Sequence, residues 1–238
     1  MATVHSTASR VFVNELHVSG EITGWSASKT CALSDATGLT AEGGMTTVGH
    51  VGGSIKIPGM LSDGAGTLTA EAGASLGTDN SLLTTTYPRG TTIGQIALIA
   101  VCDIANLTID ASVKETVPIT IDAVPDGGVD WGVGLHAHAA ETADGNSASV
   151  NNGGATANGG VATLHLTAYS GLTSAIVKIQ HSTDNSTWVD LVTFATATAV
   201  TSQRVLVAAG TAVRQYLRAT IDVTGTGSAT YVVAFARR

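Results

Sequence analysis

The stretch TAVRQYLRATIDVTGTGSATYVVAFARR (residues 211–238) carries the alternation that decides the fold. Over residues 212–223, apolar side chains occupy most odd positions and polar side chains most even positions, which is the period of a half-buried strand. TGTGS (224–228) is typical of a turn, because glycine tolerates positive φ. Tyr231 and Phe235 then alternate with smaller residues. The stretch therefore predicts an antiparallel hairpin.

The composition indicates a protein of strands and turns. Hydrophobic residues make up 44% and aromatic residues only 4%, and the chain has 28 glycines but four prolines. Apolar segments separated by turn residues recur at about 10–15-residue spacing, which favours an antiparallel sandwich. We therefore expect an all-β fold with one short helix.

Three segments decide where that helix lies. GTDNSLLTTTY (77–87) is the best candidate, with Asp79 or Asn80 as its N-cap. GTLTAEAG (66–73) follows an Asp-Gly turn and is predicted as a strand. IGQIALIAVC (93–102) also fits helical spacing, but its length and its Ile/Val content favour a buried strand.

The chain is expected to divide near residue 145. Residues 140–160 (AETADGNSASVNNGGATANGG) are small, polar and glycine-rich, as in a linker or long loop. The segments after them predict a second antiparallel sandwich. We expect one domain over 1–145, in which turn-rich residues 34–50 form the tip of a long hairpin, and another over 146–238.

Charge and hydropathy limit the function classes. Residues 1–130 carry five basic and 13 acidic side chains, net −8, whereas residues 131–238 carry six and five, net +1. An acidic half disfavours affinity for nucleic acid, which needs a basic footprint, but it does not disfavour contact without affinity. No apolar run approaches about 18 residues, so we expect no membrane insertion. The two cysteines are expected to be buried free thiols rather than a disulfide.

No motif of a known catalytic chemistry is present in the sequence, which has no GxSxG, HExxH or phosphate-binding loop. We expect neither an enzyme nor a cofactor. His136 and His138 with Glu141 nearby would be able to chelate a metal from one strand face, but two exposed histidines at an edge or loop are favoured. The aspartates around PDGG (125–128) indicate an ordinary turn rather than a calcium loop.

Trp188, in HSTDNSTWVDL (181–191), is a candidate exterior ligand contact. A tryptophan beside Asp and Asn is able to bind a sugar ring, although a tryptophan at the edge of a sandwich core is commoner. Arg214 and Arg218 share a strand face. They would either bind phosphates or pair with acidic residues across a subunit contact, and the acidic half favours the second role.

Three stretches together resemble the major tail proteins, or tail tube proteins, of long-tailed bacteriophages. Residues 45–72 (MTTVGHVGGSIKIPGMLSDGAGTLTAEA) resemble the family's long-hairpin region, with Met60 and an extra Leu61 where the family has one leucine. Residues 159–194 are similar to the C-terminal part of many such proteins, with an S-x-D-(G/N) turn before an aromatic residue and DL. Residues 213–237 resemble the ending RYLR…FAR, with Gln215 in place of arginine.

The resemblance implies a structural virion protein, a tail-tube β-sandwich or barrel with a long hairpin plus a C-terminal β-sandwich on the exterior. Family members form hexameric rings that stack into a tube, and the C-terminal addition favours a tail of the non-contractile type. The hairpins line a lumen that holds the tape-measure protein and then double-stranded DNA, without specific binding. The ends of the tube meet tail terminator and tail-tip proteins. The location implied is the tail tube of the virion, assembled in the host bacterial cytoplasm.

The acidic half is the part that the resemblance places around the lumen, where acidic side chains would repel phosphate. The candidates for lumen or ring contacts are Glu15, Glu21, Asp35, Glu42, Asp63 and Glu71. Two other classes stay open. A carbohydrate-binding or adhesin-like module would be a monomer with measurable glycan affinity, and a capsid decoration protein would form trimers on a shell.

Overall fold

The structure, a computed structural model, describes residues 8–35, 46–111 and 116–238. Across these residues the fold is all-β and antiparallel with one short helix, as the sequence predicts. The elements follow in chain order: β1 (Arg10–Val13), β2 (Leu16–His17), β3 (Ser26–Asp35), β4 (Thr46–Met60), α1 (Leu68–Ser75), β5 (Leu82–Tyr87), β6 (Ile96–Ile109), β7 (Pro118–Pro125), β8 (Asp130–Glu141), β9 (Gly145–Asn146), β10 (Val150–Asn151), β11 (Gly160–Ser182), β12 (Val189–Thr193), β13 (Thr201–Val207) and β14 (Tyr216–Arg237).

The chain divides into two compact units. The first unit comprises the described residues of 1–20, 83–99 and 130–238, and the second those of 21–82 and 100–129. The predicted boundary between residues 145 and 146 falls inside the first unit. The separate domains 1–145 and 146–238 therefore stay a prediction.

The first unit is organised around β11 and β14, which pair along almost their full lengths. In β14, Tyr231, Val233 and Phe235 belong to one hydrophobic cluster, which also holds Leu164 and Leu166 of β11. The alternate residues of β14 belong to a second cluster on the other face of the sheet, which consists of Phe12, Tyr87, Ala97, Ile99, Val161, Val232, Ala234 and Ala236. Because both faces are buried, the end of β14 reads as a continuous apolar run.

The predicted hairpin at residues 224–228 is wrong, because β14 continues through this segment as one strand. The glycines of this segment allow the backbones of β11 and β14 to approach closely, and they do not reverse the chain. A Cβ on Gly227 would lie 1.9 Å from the carbonyl oxygen of Ser170, and one on Gly225 would lie 2.8 Å from the amide nitrogen of Thr173. The register shifts here on both sides of Leu172, so the glycines accompany β-bulges in the β11–β14 pair.

The predicted linker at residues 140–160 contains two short strands. In β9, Gly145 pairs with Ile221, and in β10, Val150 pairs with Leu217. Both strands therefore add to the edge of β14. Small polar residues are compatible with such pairing because the backbone supplies the hydrogen bonds.

The helix lies at Leu68–Ser75 and not at residues 77–87. Thr67 is its N-cap, and the Thr67 side chain accepts a hydrogen bond from the amide of Ala70. The buried Leu68, Ala72 and Ser75 follow helical spacing on one face. The segment predicted as the helix is instead a turn, with Asn80 at φ 50°, followed by the fully buried strand β5.

The second unit contains the sheet order β3-β4-β7-β6. Its interior is formed by alternate residues of β4 and β7, including Ile55, Ile57, Ile119 and Ile121, all almost completely buried. The predicted buried strand at residues 93–102 is confirmed in its main part as β6, which begins in the first unit and continues in the second.

Cys31 and Cys102 are both free thiols, but Cys31 is exposed and only Cys102 is buried. Among the described residues, no helix has the length and apolar character that crossing a membrane requires.

Candidate functional site

The most unusual surface of the second unit is a ribbon formed by β3 and β4. The two strands pair from Ser26 opposite Lys56 to Asp35 opposite Thr46. β4 also pairs with β7, but only over Ile55–Met60, so no other described strand pairs with the part of the ribbon beyond Ser28. At about 3.3 Å per residue this part is about 25 Å long. The predicted hairpin is therefore present as two long strands. Of its predicted tip, residues 34–50, the described residues 34, 35 and 46–50 belong to these strands, and residues 36–45 lie outside the described residues.

Nearly every residue of β3 is exposed. Leu33 has 67% of its surface exposed, and Cys31 is exposed too. Gly53 keeps the strands close, since a Cβ there would lie 2.2 Å from the carbonyl oxygen of Ser28. The outer edge of β3 has no partner among the described strands, and such an edge is a template for pairing with another chain.

The ribbon itself has no net charge. Residues 26–60 hold two lysines, Lys29 and Lys56, and two acidic residues, Asp35 and Glu42. Lys56 lies 3.8 Å from the carboxylate of Asp122 on β7. The long strands therefore present mainly small and neutral side chains.

The charge asymmetry between the two units is as large as the asymmetry between residues 1–130 and residues 131–238. The second unit has three basic and eleven acidic side chains, net −8. The first unit has eight basic and seven acidic side chains, net +1. The acidic character predicted for residues 1–130 therefore belongs to the unit that carries the ribbon.

Three of the acidic candidates lie around the start of α1. The carboxylate of Glu21 accepts a hydrogen bond of 2.9 Å from the amide of Leu68. Glu71 lies in the first turn of the helix, and Asp63 is exposed just before it. Negative charge at a helix N-terminus is stabilising, so Glu21 has a role within the subunit.

The remaining acidic candidates are dispersed. Glu15 lies in the turn between β1 and β2 of the first unit and is partly exposed. Asp35 is exposed at the end of β3. Glu42 lies outside the described residues. The six candidates therefore do not form one cluster in the described part of the subunit, and their lumen or ring contacts stay a prediction.

The structure brings two other predicted residues together. The guanidinium of Arg218 lies 4.2 Å from the centroid of the Trp188 ring. Its Nε and Nη2 atoms donate to Oε1 of Gln180, at 3.0 and 2.7 Å. Both contacts are inside the subunit, so a subunit contact by Arg218 would use its other N–H groups.

The loop before Trp188 is held by Asp184. Its carboxylate accepts hydrogen bonds from the amides of Ser186 and Thr187, and from the hydroxyls of Ser182 and Thr187. These bonds, led by the one from the Thr187 amide, hold the pKa of Asp184 well below its usual range. Asn185 adopts φ 58°, which Asn tolerates better than most residues. The S-x-D-N turn thus has a local structural reason.

A polar ladder continues across β12, β11 and β14 from this pair. Nε2 of Gln180 donates to Asp190 at 2.7 Å, and Nζ of Lys178 lies 2.8 Å from Asp222 and 3.9 Å from Asp190. The hydrogen bond and charge of Asp222 raise the pKa of Lys178. Because opposite charges alternate along the ladder, it pairs within the subunit and offers no concentrated charge of one sign.

Arg214 takes part in a different contact. Its backbone amide donates to Nδ1 of His181 at 3.3 Å, and its carbonyl accepts from Arg237. These are backbone contacts that fix the start of β14. The predicted intersubunit role of the Arg214 side chain stays a prediction.

His136 and His138 do not act as a pair. The register between β8 and β14 shifts on both sides of Val233, whose partner is His136, so the two imidazoles lose the shared face of a regular strand. His136 stacks on Tyr231 at 4.0 Å and contacts Glu141 at 3.2 Å, whereas His138 bonds to Thr167 at 2.8 Å. No group of three or more His, Cys, Asp or Glu that could hold a metal ion occurs among the described residues.

A cluster of aromatic and imidazole rings in the first unit was not predicted. The ring of Phe12 lies 4.9 Å from that of His17, 5.0 Å from that of His138 and 5.8 Å from that of His165. Burial lowers the pKa values of His138 and His165 to about 4. Nothing in the local sequence indicates this cluster, because its members come from four strands.

No protein-family model matches the chain. No curated protein matches it at a significant level.

Solved structures give weak similarities. A chain from the virion of a native gene transfer agent particle has a TM-score of 0.42 and 13% identity, and the match covers 54% of this chain and 98% of the other. A chain from the tail of an empty gene transfer agent particle, with C6 symmetry, has a TM-score of 0.36 and 15% identity, and the match covers 51% of this chain and 94% of the other. The Dit protein of phage SPP1, described as a hub adsorption apparatus, has a TM-score of 0.39 and 11% identity, and the match covers 97% of this chain and 99% of the other. At such TM-scores, nothing about the function of this chain follows from these similarities.

Proposed function

We propose that the protein is the structural subunit of a bacteriophage tail tube, which polymerises as stacked hexameric rings around double-stranded DNA. The β3–β4 ribbon is the observation that carries this proposal. It is long, it is exposed on nearly every residue of β3, and its outer edge lacks a partner among the described strands. The order of the three resembling sequence stretches supports the same assignment.

Assembly into a ring explains why the subunit carries a ribbon with an unpaired strand edge. An exposed, uncapped strand edge promotes aggregation in a monomer, whereas pairing of ribbons around a closed ring removes every free edge. The small side chains of β3, such as Ser28, Thr30 and Ala32, allow neighbouring ribbons to approach closely. Rings that repeat one contact along an axis then build an open stack.

The charge distribution is suited to a conduit. A net charge of −8 in the second unit repels phosphate, and the balanced ribbon offers no basic track that would hold DNA in place. DNA would therefore pass without tight binding. In this proposal the repulsion comes from the unit as a whole, to which Asp35, Glu42, Asp63 and Glu71 contribute.

The remaining features of the proposal come from the resemblance. The subunit has no enzymatic role and works in the virion after assembly in the host bacterial cytoplasm. Its partners are other copies of itself, the tape-measure protein within the lumen, and terminator and tip proteins at the two ends of a non-contractile tail. Residues 146–238 would lie toward the exterior.

A carbohydrate-binding module is the second candidate. It is favoured by the partly exposed ring of Trp188, which contacts Arg218, a residue that also donates to the side chain of Gln180. Arg218 covers one face of that ring, which leaves a single face for a sugar. A carbohydrate-binding module would not need the β3–β4 ribbon, so this candidate leaves the ribbon unexplained, whereas the tail-tube proposal accounts for it.

Electron microscopy of the purified, concentrated protein tests the proposal. The wild type is expected to form rings or hollow tubes. Leu33→Lys places a charge on the exposed surface of β3, so it should reduce assembly without lowering the thermal midpoint of the subunit. Val200→Lys, at another exposed apolar position, is the matched control. Tubes that form equally well with Leu33→Lys would remove the ribbon from the interface, and glycan binding by a dispersed monomer would favour the second candidate.

A further inference from the structure

The first unit exposes an aromatic side chain that its own fold does not use. Trp131 has 63% of its surface exposed, whereas the other two tryptophans are partly buried. Ile96 on the adjacent strand is 42% exposed. Because Leu98 pairs with Trp131 and Ile96 pairs with Val133, these four side chains lie on one face of the β6–β8 pair.

A hollow of about 200 Å³ adjoins this face. Its apolar lining comes from Ile96, Trp131, Val133 and Phe235, and its polar lining includes Asn152 and Arg237. A cavity of about 150 Å³ is enough to hold benzene, so this hollow has room for one large apolar side chain. We call Ile96, Trp131, Val133 and the hollow beside them the Trp131 patch.

The rim of the patch is cationic. The guanidinium of Arg237 donates to the carbonyl oxygens of Gly154, Arg214 and Gln215. Arg238 forms an ion pair with Asp130, at 2.9 Å between Nη2 and Oδ2, and keeps 44% of its side chain exposed. Two arginines against one aspartate leave a charge of +1 next to the exposed tryptophan.

We propose that the Trp131 patch is the surface through which one copy of this chain contacts the acidic second unit of a neighbouring copy. This inference rests on the self-assembly in the proposed function and names a contact for it. An aromatic anchor beside a hollow, with charges at the rim, is the arrangement of residues that dominate binding energy at interfaces.

The charge at the rim of the Trp131 patch indicates which surface of a neighbouring copy binds there. The second unit has a net charge of −8, so the cationic rim attracts the second unit of a neighbouring copy. The second unit also exposes apolar side chains beside carboxylates. Val124 is 49% exposed and pairs with Asp103, and Ile109 is 50% exposed and precedes Asp110. Contact between unlike surfaces is heterologous, so it repeats from copy to copy as a ring or a stack requires.

Photo-crosslinking in the full chain tests the contact. p-Benzoylphenylalanine is placed at position 131 or, as a control, at Leu206, which is 56% exposed in the first unit. Position 131 is expected to give covalent dimers whose crosslinked peptides map to residues 21–82 or 100–129 of the second copy. Absence of dimers at 131, dimers equally abundant at 206, or crosslinks to the first unit of the second copy would each overturn the inference.

Trp131→Ser provides a separate measurement. Sedimentation velocity should show self-association weakened about tenfold or more relative to wild type, with Leu206→Ser close to wild type. Unchanged association of Trp131→Ser overturns the inference and leaves the tail-tube proposal standing. Crosslinked copies that assemble only into closed dimers, without rings or tubes, support the contact and contradict the tail-tube proposal.

Discussion

The guanidinium of Arg218 lies 4.2 Å from the centroid of the Trp188 ring, and this contact joins the loop after β11 to β14. Gln180 accepts two hydrogen bonds from the same guanidinium. Arg218 and Trp188 were predicted to serve a subunit contact and a ligand contact separately. Their stacking means that substitution of either one affects the other.

A double-mutant cycle measures this coupling. Trp188→Ala and Arg218→Ala should each destabilise the subunit, and their combined effect should fall short of the sum by about 0.5–1 kcal/mol, the value of a partly exposed cation–π contact. Urea unfolding gives the four free energies. Trp188→Ala combined with Arg238→Ala is the control and should be additive, since Arg238 pairs with Asp130. Additivity in the first cycle would mean that the stacking contributes nothing.

Two glycine-to-alanine substitutions should change the unfolding free energy in opposite directions. Gly53→Ala places a methyl group 2.2 Å from the carbonyl oxygen of Ser28, so it should loosen the ribbon and destabilise it by about 1–3 kcal/mol. Gly73→Ala, inside α1 with open space around it, should stabilise by about 0.5–1 kcal/mol. Hydrogen exchange of β3 and α1 amides reports each effect locally. Unchanged exchange in β3 of Gly53→Ala would contradict the close approach of the two strands.

Acid should destabilise the first unit through His165. Nδ1 of His165 faces the carbonyl oxygen of Asn14 at 2.5 Å and so carries the proton, and Nε2 lies 2.7 Å from the hydroxyl of Thr85. Burial lowers the pKa of His165 from 6.5 to about 4. Between these values the unfolded chain binds the proton and the folded one does not. The contribution of neutral, buried His165 to the unfolding free energy is therefore complete above pH 6.5. It decreases by about 1.4 kcal/mol per pH unit as the pH falls from 6.5 toward 4.

His165→Gln isolates this effect. It should reduce the dependence of the unfolding free energy on pH between 6.5 and 4 by the share of one histidine, while His138, whose pKa burial also lowers to about 4, keeps its own share. Urea unfolding at several pH values measures the two slopes. Thr85→Val keeps the imidazole buried, so it should lower stability at every pH while it retains the slope. Equal slopes in wild type and His165→Gln would show that another group causes the acid sensitivity.

Charge reversal on the ribbon should create affinity for DNA. Asp35→Lys with Glu42→Lys changes the net charge of residues 26–60 from 0 to +4. Binding of double-stranded DNA should then appear at low salt and weaken steeply as salt rises. Electrophoretic mobility shift measures it. Asp144→Lys with Asp190→Lys makes the same change in the first unit and should bind less. Equal binding by both variants would reflect total charge and would not place the ribbon next to DNA.

Truncation after residue 145 tests the predicted domains. The fragment loses β14, so Ala139 loses its partner Tyr231, and Phe12 and Tyr87 lose the cover of Val232 and Ala234. We expect the first unit to unfold, with loss of near-ultraviolet circular dichroism and rapid proteolysis. A protease-resistant fragment that still assembles would instead establish residues 146–238 as an independent exterior domain.

The errors in helix placement have a local cause. Leu68 and Ala72 follow the helical period and Thr67 is a good N-cap, but a run of eight residues is too short to separate from a strand by pattern alone. Asp79 and Asn80 suggested a helix start, yet the β-branched threonines of β5 favour a strand. Competing signals in short segments are resolved by packing.

The sequence by itself determined the strand-rich composition, the alternation in β14 and the concentration of acidic residues, because each depends only on residue type and period. Only the tertiary structure decided that residues 224–228 bulge rather than turn, since Gly225 and Gly227 fit both until β11 lies beside them. It also decided the pairing of Arg218 with Trp188 and the exposure of Trp131. These relations depend on which strand lies next to which, and non-local pairing leaves no mark in a local pattern.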